Sequence, residues 1–129
     1  MRPPLRALAA AALAATLAAC AHGPAPLYQW GEFPHHQYDT LRGEGKSPAE
    51  QITALEAQAQ QVEAAHTALP PGFRAHLGLL YLDAGDAAKA RAMWQAEKSA
   101  FPESALYMDQ LLKRLDGPVQ AAQGKEIPA

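Results

Sequence analysis

A chain of 129 residues with 11 Lys and Arg, 13 Asp and Glu and one cysteine has room for one small domain and not for two. Its formal net charge of −2, with the basic residues dispersed, excludes the clustered positive surface that displaces counterions from nucleic acid. The single thiol has no partner within the chain.

The first element is an N-terminal stretch carrying Arg2 and Arg6, followed by an Ala- and Leu-rich run that closes on Leu17-Ala18-Ala19-Cys20. The apolar run, roughly 13 residues, is shorter than the ~20 needed to span a bilayer. The arrangement resembles a bacterial lipoprotein signal peptide covering residues 1–19. That resemblance implies cleavage before Cys20 and lipidation of its thiol, which also removes an unpaired cysteine from an oxidising compartment. Several acyl chains at about 0.8 kcal/mol per buried methylene make a practically permanent anchor. Cleavage takes away Arg2 and Arg6, so nine Lys and Arg face 13 Asp and Glu, and attachment to acidic lipid is expected from the acyl chains rather than from charge. Ala21 stands where an inner-membrane-retained enteric lipoprotein tends to carry aspartate, so the same resemblance implies the periplasmic face of the outer membrane.

Gly23, Pro24 and Pro26 then favour an extended tether over residues 20–26. The next stretch, Leu27-Tyr28-Gln29-Trp30-Gly31, is dense in aromatics. It is expected to pack across a helical domain, or to serve as a patch for a partner or for the membrane interface. Tyr38 and Leu41 could form one face of a short helix.

After Gly43, Gly45 and Pro48, Ser47 and Glu50 stand at capping-box spacing. A helix is expected from there to Leu69, with Ile52, Leu55, Ala59, Val62, His66 and Leu69 along one seam. Pro70-Pro71-Gly72 reverses the chain. Phe73, Leu77, Leu80, Tyr81 and Ala84 form the next stripe, ended by Gly85, and Asp86 can cap a helix presenting Ala90, Met93, Trp94 and Phe101 inward. Pro102 suits the first turn of a last helix bearing Met108, Leu111, Leu112 and Leu115, with Lys113 and Arg114 at its C-terminal end. Asp116-Gly117-Pro118 stops it, and the polar residues 117–129 are expected to be disordered. The predicted fold is all-α, about four helices over residues 27–116.

Leu77-Gly78, Tyr81, Gly85-Asp86, Ala90, Trp94 and Pro102 fall at the spacings of a tetratricopeptide repeat, whose period is about 34 residues. Gly78 and Ala90 are small where two antiparallel helices would cross, and Leu77, Tyr81 and Trp94 would fill the space between them. Arg74 and Glu97 depart from the repeat, standing where it usually has an aromatic and an alanine. Stacked repeats normally need about three units to bury a continuous core, and one is present. The flanking helices, or a partner, are therefore expected to supply the missing faces.

Leu27-Tyr28-Gln29-Trp30-Gly31, the run from Pro70 to Gly78, Glu97-Lys98 and Phe101-Pro102-Glu103-Ser104 together resemble a proteobacterial lipoprotein family known only as a domain of unknown function. Its members are typically encoded beside two other lipoproteins, one similar to the curli secretion channel. The resemblance implies a component of an envelope lipoprotein complex and no chemistry.

The residues offer no stronger chemical signal. His35 and His36 are adjacent and diverge on a helix; His66 and His76 lack further ligands for a zinc set. Glu103-Ser104 matches the catalytic dipeptide of envelope lytic transglycosylases, but at a helix start Glu103 reads as a favourable charge. The sequence therefore points to a non-catalytic scaffold or adaptor with no cofactor and no metal, working with other envelope lipoproteins or an exported protein. Tyr28, Trp30, Arg74, Glu97 and Lys98 are its candidate contacts, with Tyr81 and Trp94 as aromatics that favour the interior. If Glu97 is buried it needs a partner such as Arg74 or Lys98. The rival readings are a peptidoglycan-active accessory enzyme and a self-associating structural lipoprotein.

Overall fold

The structure, a computed structural model, describes residues 3–19 and 23–117. Among the described residues all regular structure is helical: α1 (Pro3–Ala19), α2 (Phe33–Arg42), α3 (Pro48–Ala64), α4 (Phe73–Asp83), α5 (Ala87–Ala100), a 3-10 turn (Pro102–Ser104) and α6 (Ala105–Asp116). Helix α1 covers the apolar N-terminal stretch, and among the described residues no helix is long and apolar enough to cross a membrane. Cys20 and the expected tail after Gly117 lie outside the described residues.

From residue 27 onward the described residues form five α-helices, the four expected from Ser47 onward being joined by the short one anticipated near Tyr38 and Leu41. The additional one is α2, which buries Phe33 and His36 at 2% and 5% exposure. Tyr38 and Leu41 share one face of it, and that face is exposed. The i, i+3 pair that faces the core comes from the first turn, where Pro34 is tolerated because its missing N–H would have no helical partner.

The capping box at α3 forms. Ser47 Oγ accepts from Glu50 N–H, and Ser47 N–H donates to Glu50 Oε2 at 3.0 Å. The helix ends at Ala64 instead of running to Leu69. Pro70 forces Leu69 toward extended backbone, so the chain must leave the helix earlier. It does so at His66, whose φ is +53°, with His66 N–H donating to Glu63 O and Thr67 N–H to Val62 O. These two bonds satisfy the last carbonyls as a left-handed C-terminal residue allows. His66 is consequently exposed, not part of the buried seam. Gly85 closes α4 in the same pattern, through Gly85 N–H to Leu82 O and Asp86 N–H to Tyr81 O. Asp86 Oδ1 then accepts from Lys89 N–H at 2.9 Å and starts α5.

Helices α4 and α5 cross closely at Gly78. A Cβ there would lie 2.4 Å from Trp94 Nε1, and the indole N–H donates to Ala75 O at 3.1 Å. Around this crossing the core gathers Phe33 from α2, Leu55 from α3, Phe73, Leu77, Leu80 and Tyr81 from α4, and Met108 and Leu111 from α6. The flanking helices therefore supply the faces a lone helical hairpin lacks.

Replacing Gly78 by valine drives side-chain atoms into the Trp94 ring, so α4 and α5 must separate. A stability loss of about 1–3 kcal/mol is expected, read by chemical denaturation; an unchanged midpoint would contradict the close crossing.

Candidate functional site

A recess lies where α3 and α5 both pack on α4 and leave a cleft of about 700 Å³ between them. Its floor is apolar, with Val62, Leu69, Phe73 and Met93, while Glu63 and Arg74 add one charge of each sign. Tyr28 closes one end, its ring edge-on to Phe101 at 5.9 Å between centroids. The segment bearing Tyr28 is fixed by Gln29 N–H, which donates to Ala68 O at 2.9 Å. An apolar floor with a few polar groups at the edge suits a side chain or short segment of another polypeptide.

Glu97, 1% exposed, does not line this cleft and borders a smaller recess of about 350 Å³ walled by α4 and α6. Its Oε1 accepts from Gly72 N–H at 2.6 Å and its Oε2 from Arg74 N–H at 3.2 Å. The partners are thus backbone amides at the N-terminus of α4, not the Arg74 guanidinium or the Lys98 ammonium. Orphan amides and the positive end of the helix dipole solvate the buried carboxylate. It acts on the cleft by fixing the turn that carries Arg74.

The other candidates lie apart. Lys98 Nζ meets Asp109 Oδ1 at 2.6 Å and ties α5 to α6 across a half-exposed surface. Trp30 stacks on Phe33 with centroids 6.3 Å apart and keeps 48% of its surface exposed. Tyr28 and Arg74 share the cleft; Trp30, Glu97 and Lys98 do not line it. Trp94 and Tyr81 are buried. The Tyr81 hydroxyl donates to the Glu56 carboxylate, and burial together with that bond raises its pKa. Glu103 is exposed in the 3-10 turn. The sequence signal for the cleft was faint: Val62 and Met93 were assigned to core stripes, and only the early end of α3 leaves space between them.

Another recess of about 460 Å³ between α2 and α3 is lined by His35, His36, Asp39 and Lys46. His35 Nε2 approaches Asp39 Oδ2 at 3.4 Å. Among the described residues no three His, Cys, Asp or Glu side chains gather as around a metal ion.

Two histidines are buried without full hydrogen bonding: His36 Nδ1 and His76 Nε2 have no partner. His76 stands edge-on to Phe33 at 5.8 Å. Burial, then Lys46 and His35, push the His36 pKa down against the opposing pull of Asp39 and Glu32. Burial and the neighbouring His36 push His76 down.

These features define a small all-α domain with an apolar, charge-edged cleft. Residues 27–111 match the family described as a domain of unknown function, DUF4810, and the chain belongs to it. No curated protein and no solved structure matches the chain.

Because both histidines titrate below their ordinary value of 6.5 when folded, the unfolded chain takes up their protons first as pH falls. Their neutral forms impose no penalty above that value, and stability declines as pH drops below it. Each group contributes a slope of at most about 1.4 kcal/mol per pH unit. Denaturation midpoints from pH 7.5 to 5 should fall for the wild type and fall less steeply for His76→Phe; identical slopes would contradict this origin.

Proposed function

We propose that the protein is a lipid-anchored, non-catalytic adaptor on the periplasmic face of the bacterial outer membrane. Residues 1–19 serve as the signal peptide, Cys20 carries the lipid, and residues 20–26 tether the domain. The order of Arg2, Arg6, the apolar run and Leu17-Ala18-Ala19-Cys20 is the observation that carries this reading, because small residues before a cysteine are what a lipoprotein signal peptidase accommodates. The fit of Leu77, Gly78, Tyr81, Ala90 and Trp94 to the close crossing of α4 and α5 supports a single tetratricopeptide-like hairpin.

A shortage of core is not the reason to expect a partner, since α2, α3 and α6 close the interior around that hairpin. The support comes from the cleft, an apolar surface with Glu63 and Arg74 at its edge. Another envelope lipoprotein or an exported polypeptide offering an apolar side chain flanked by opposite charges is the partner it fits. Tyr28 and Arg74 are the contacts within it.

Radiolabelled palmitate should enter the wild type and not Cys20→Ser, and crosslinking in intact membranes should recover a defined partner. Met93→Glu, in the cleft wall, should cut that recovery at least tenfold, and Glu63→Lys, on its exposed edge, should lower it while helicity and melting temperature hold, since Met93 but not Glu63 also packs on the core. An unlabelled wild type overturns the anchor; undiminished recovery in Met93→Glu overturns the cleft. Peptidoglycan clearing that disappears in Glu103→Gln would replace the adaptor by an enzyme.

A further inference from the structure

The distribution of charge around the tether carries an inference that rests on the lipid-anchor reading and goes beyond it. Residues 21–31 and 64–73 contain no Asp, Glu, Lys or Arg. The fold places parts of these two runs side by side through the bond from Gln29 N–H to Ala68 O. The Gln58 side-chain amide also donates to Gln29 O at 3.2 Å and Trp30 O at 3.0 Å. The surface formed there exposes Leu27 at 77% and Trp30 at 48%, with Ala65, Thr67 and Ala68 also open to solvent.

We infer that this uncharged face, with Leu27 and Trp30 at its tip, lies in the headgroup region of the bilayer that holds Cys20. The length of the tether argues for lipid as the occupant. Six residues lie between Cys20 and Leu27, and the seven residue-to-residue steps reach about 24 Å when fully extended, so the N-terminal end of the domain stays beside the membrane. Trp favours that zone, where its ring meets the acyl boundary and its N–H meets water and headgroups. The anchored chain has four more acidic than basic residues, and an anionic leaflet repels the acidic surface more than the uncharged face. With the backbone around Trp30 fixed by Gln58 and its ring stacked on Phe33, insertion orders little that is not already ordered.

The test uses the lipidated protein extracted from membranes, its acyl groups confirmed by intact mass, in vesicles of phosphatidylethanolamine and phosphatidylglycerol with or without brominated acyl chains. Trp30 and Trp94 are the only tryptophans, and Trp94 is 1% exposed. Bromination near the headgroup should remove roughly half or more of the Trp30 emission, leaving Trp30→Phe, which reports Trp94 alone, unquenched. Lipidated wild type without quenching overturns the inference and leaves the anchor standing. Equal quenching in Trp30→Phe overturns it also, because the contact would then not be through Trp30. A mass without acyl groups removes the anchor reading and this inference with it. Shielding of Trp30 from aqueous iodide by a co-purified protein, and not by vesicles, assigns the face to a polypeptide instead.

Discussion

The carboxylate of Glu97 is the constraint on which the domain is arranged. Helix α4 starts after Pro70-Pro71-Gly72, and its N-cap, Gly72 at φ +86°, has no side chain with which to satisfy the first amides. Glu97 supplies that function from α5, accepting from Gly72 and Arg74 N–H. A buried carboxylate without such donors would carry a large desolvation cost, and unsatisfied amides would add their own. Each group resolves the other's problem, and in doing so fixes the end of α4 against the last turns of α5. Trp94 over Gly78 fixes the middle of the same pair. Two contacts along one hairpin, one polar and one steric, set its crossing and its register.

From that pair outward the rest follows. Helices α3 and α6 bury Leu55, Met108 and Leu111 against it, and α2 lays Phe33 over Phe73 with ring centroids 5.2 Å apart. The interior is closed by five short helices. Because α3 ends at Ala64 and the chain crosses through His66 to Pro70, α3 and α5 leave the cleft open above Phe73. The turn held by Glu97 carries Arg74 to that cleft. A residue only 1% exposed thereby positions one that borders the cleft. His36 and His76, buried between α2 and α4 with an unpartnered nitrogen each, make the attachment of α2 sensitive to acid.

Local chemistry was the readable part of the chain. Ser47 with Glu50, Gly85 with Asp86, and Leu77, Gly78, Tyr81, Ala90 and Trp94 each declare their role through neighbours a few residues away, and the helices they define form as expected. The short helix α2 was anticipated at Tyr38 and Leu41, but its buried face was not, because its polar composition hides the pair Phe33 and His36 at its very start. The end of α3 was misread because histidine took the left-handed position where glycine is the usual signal. The site was less legible, since its parts come from separate segments: Tyr28 from the strap, Val62 from α3, Arg74 from α4 and Met93 from α5. Glu97 stood out as a departure from the repeat, but a sequence shows side chains and not free amides, so its partner was sought among Arg74 and Lys98.

Amide hydrogen exchange on Glu97→Ala, beside equilibrium denaturation, bears most directly on this arrangement. The account predicts that Gly72 and Arg74 lose protection first and that the domain loses about 1–3 kcal/mol, with Glu97→Gln between the variant and the wild type because its amide oxygen still accepts one bond. Unchanged protection at those two amides, with unchanged stability in Glu97→Ala, would contradict it.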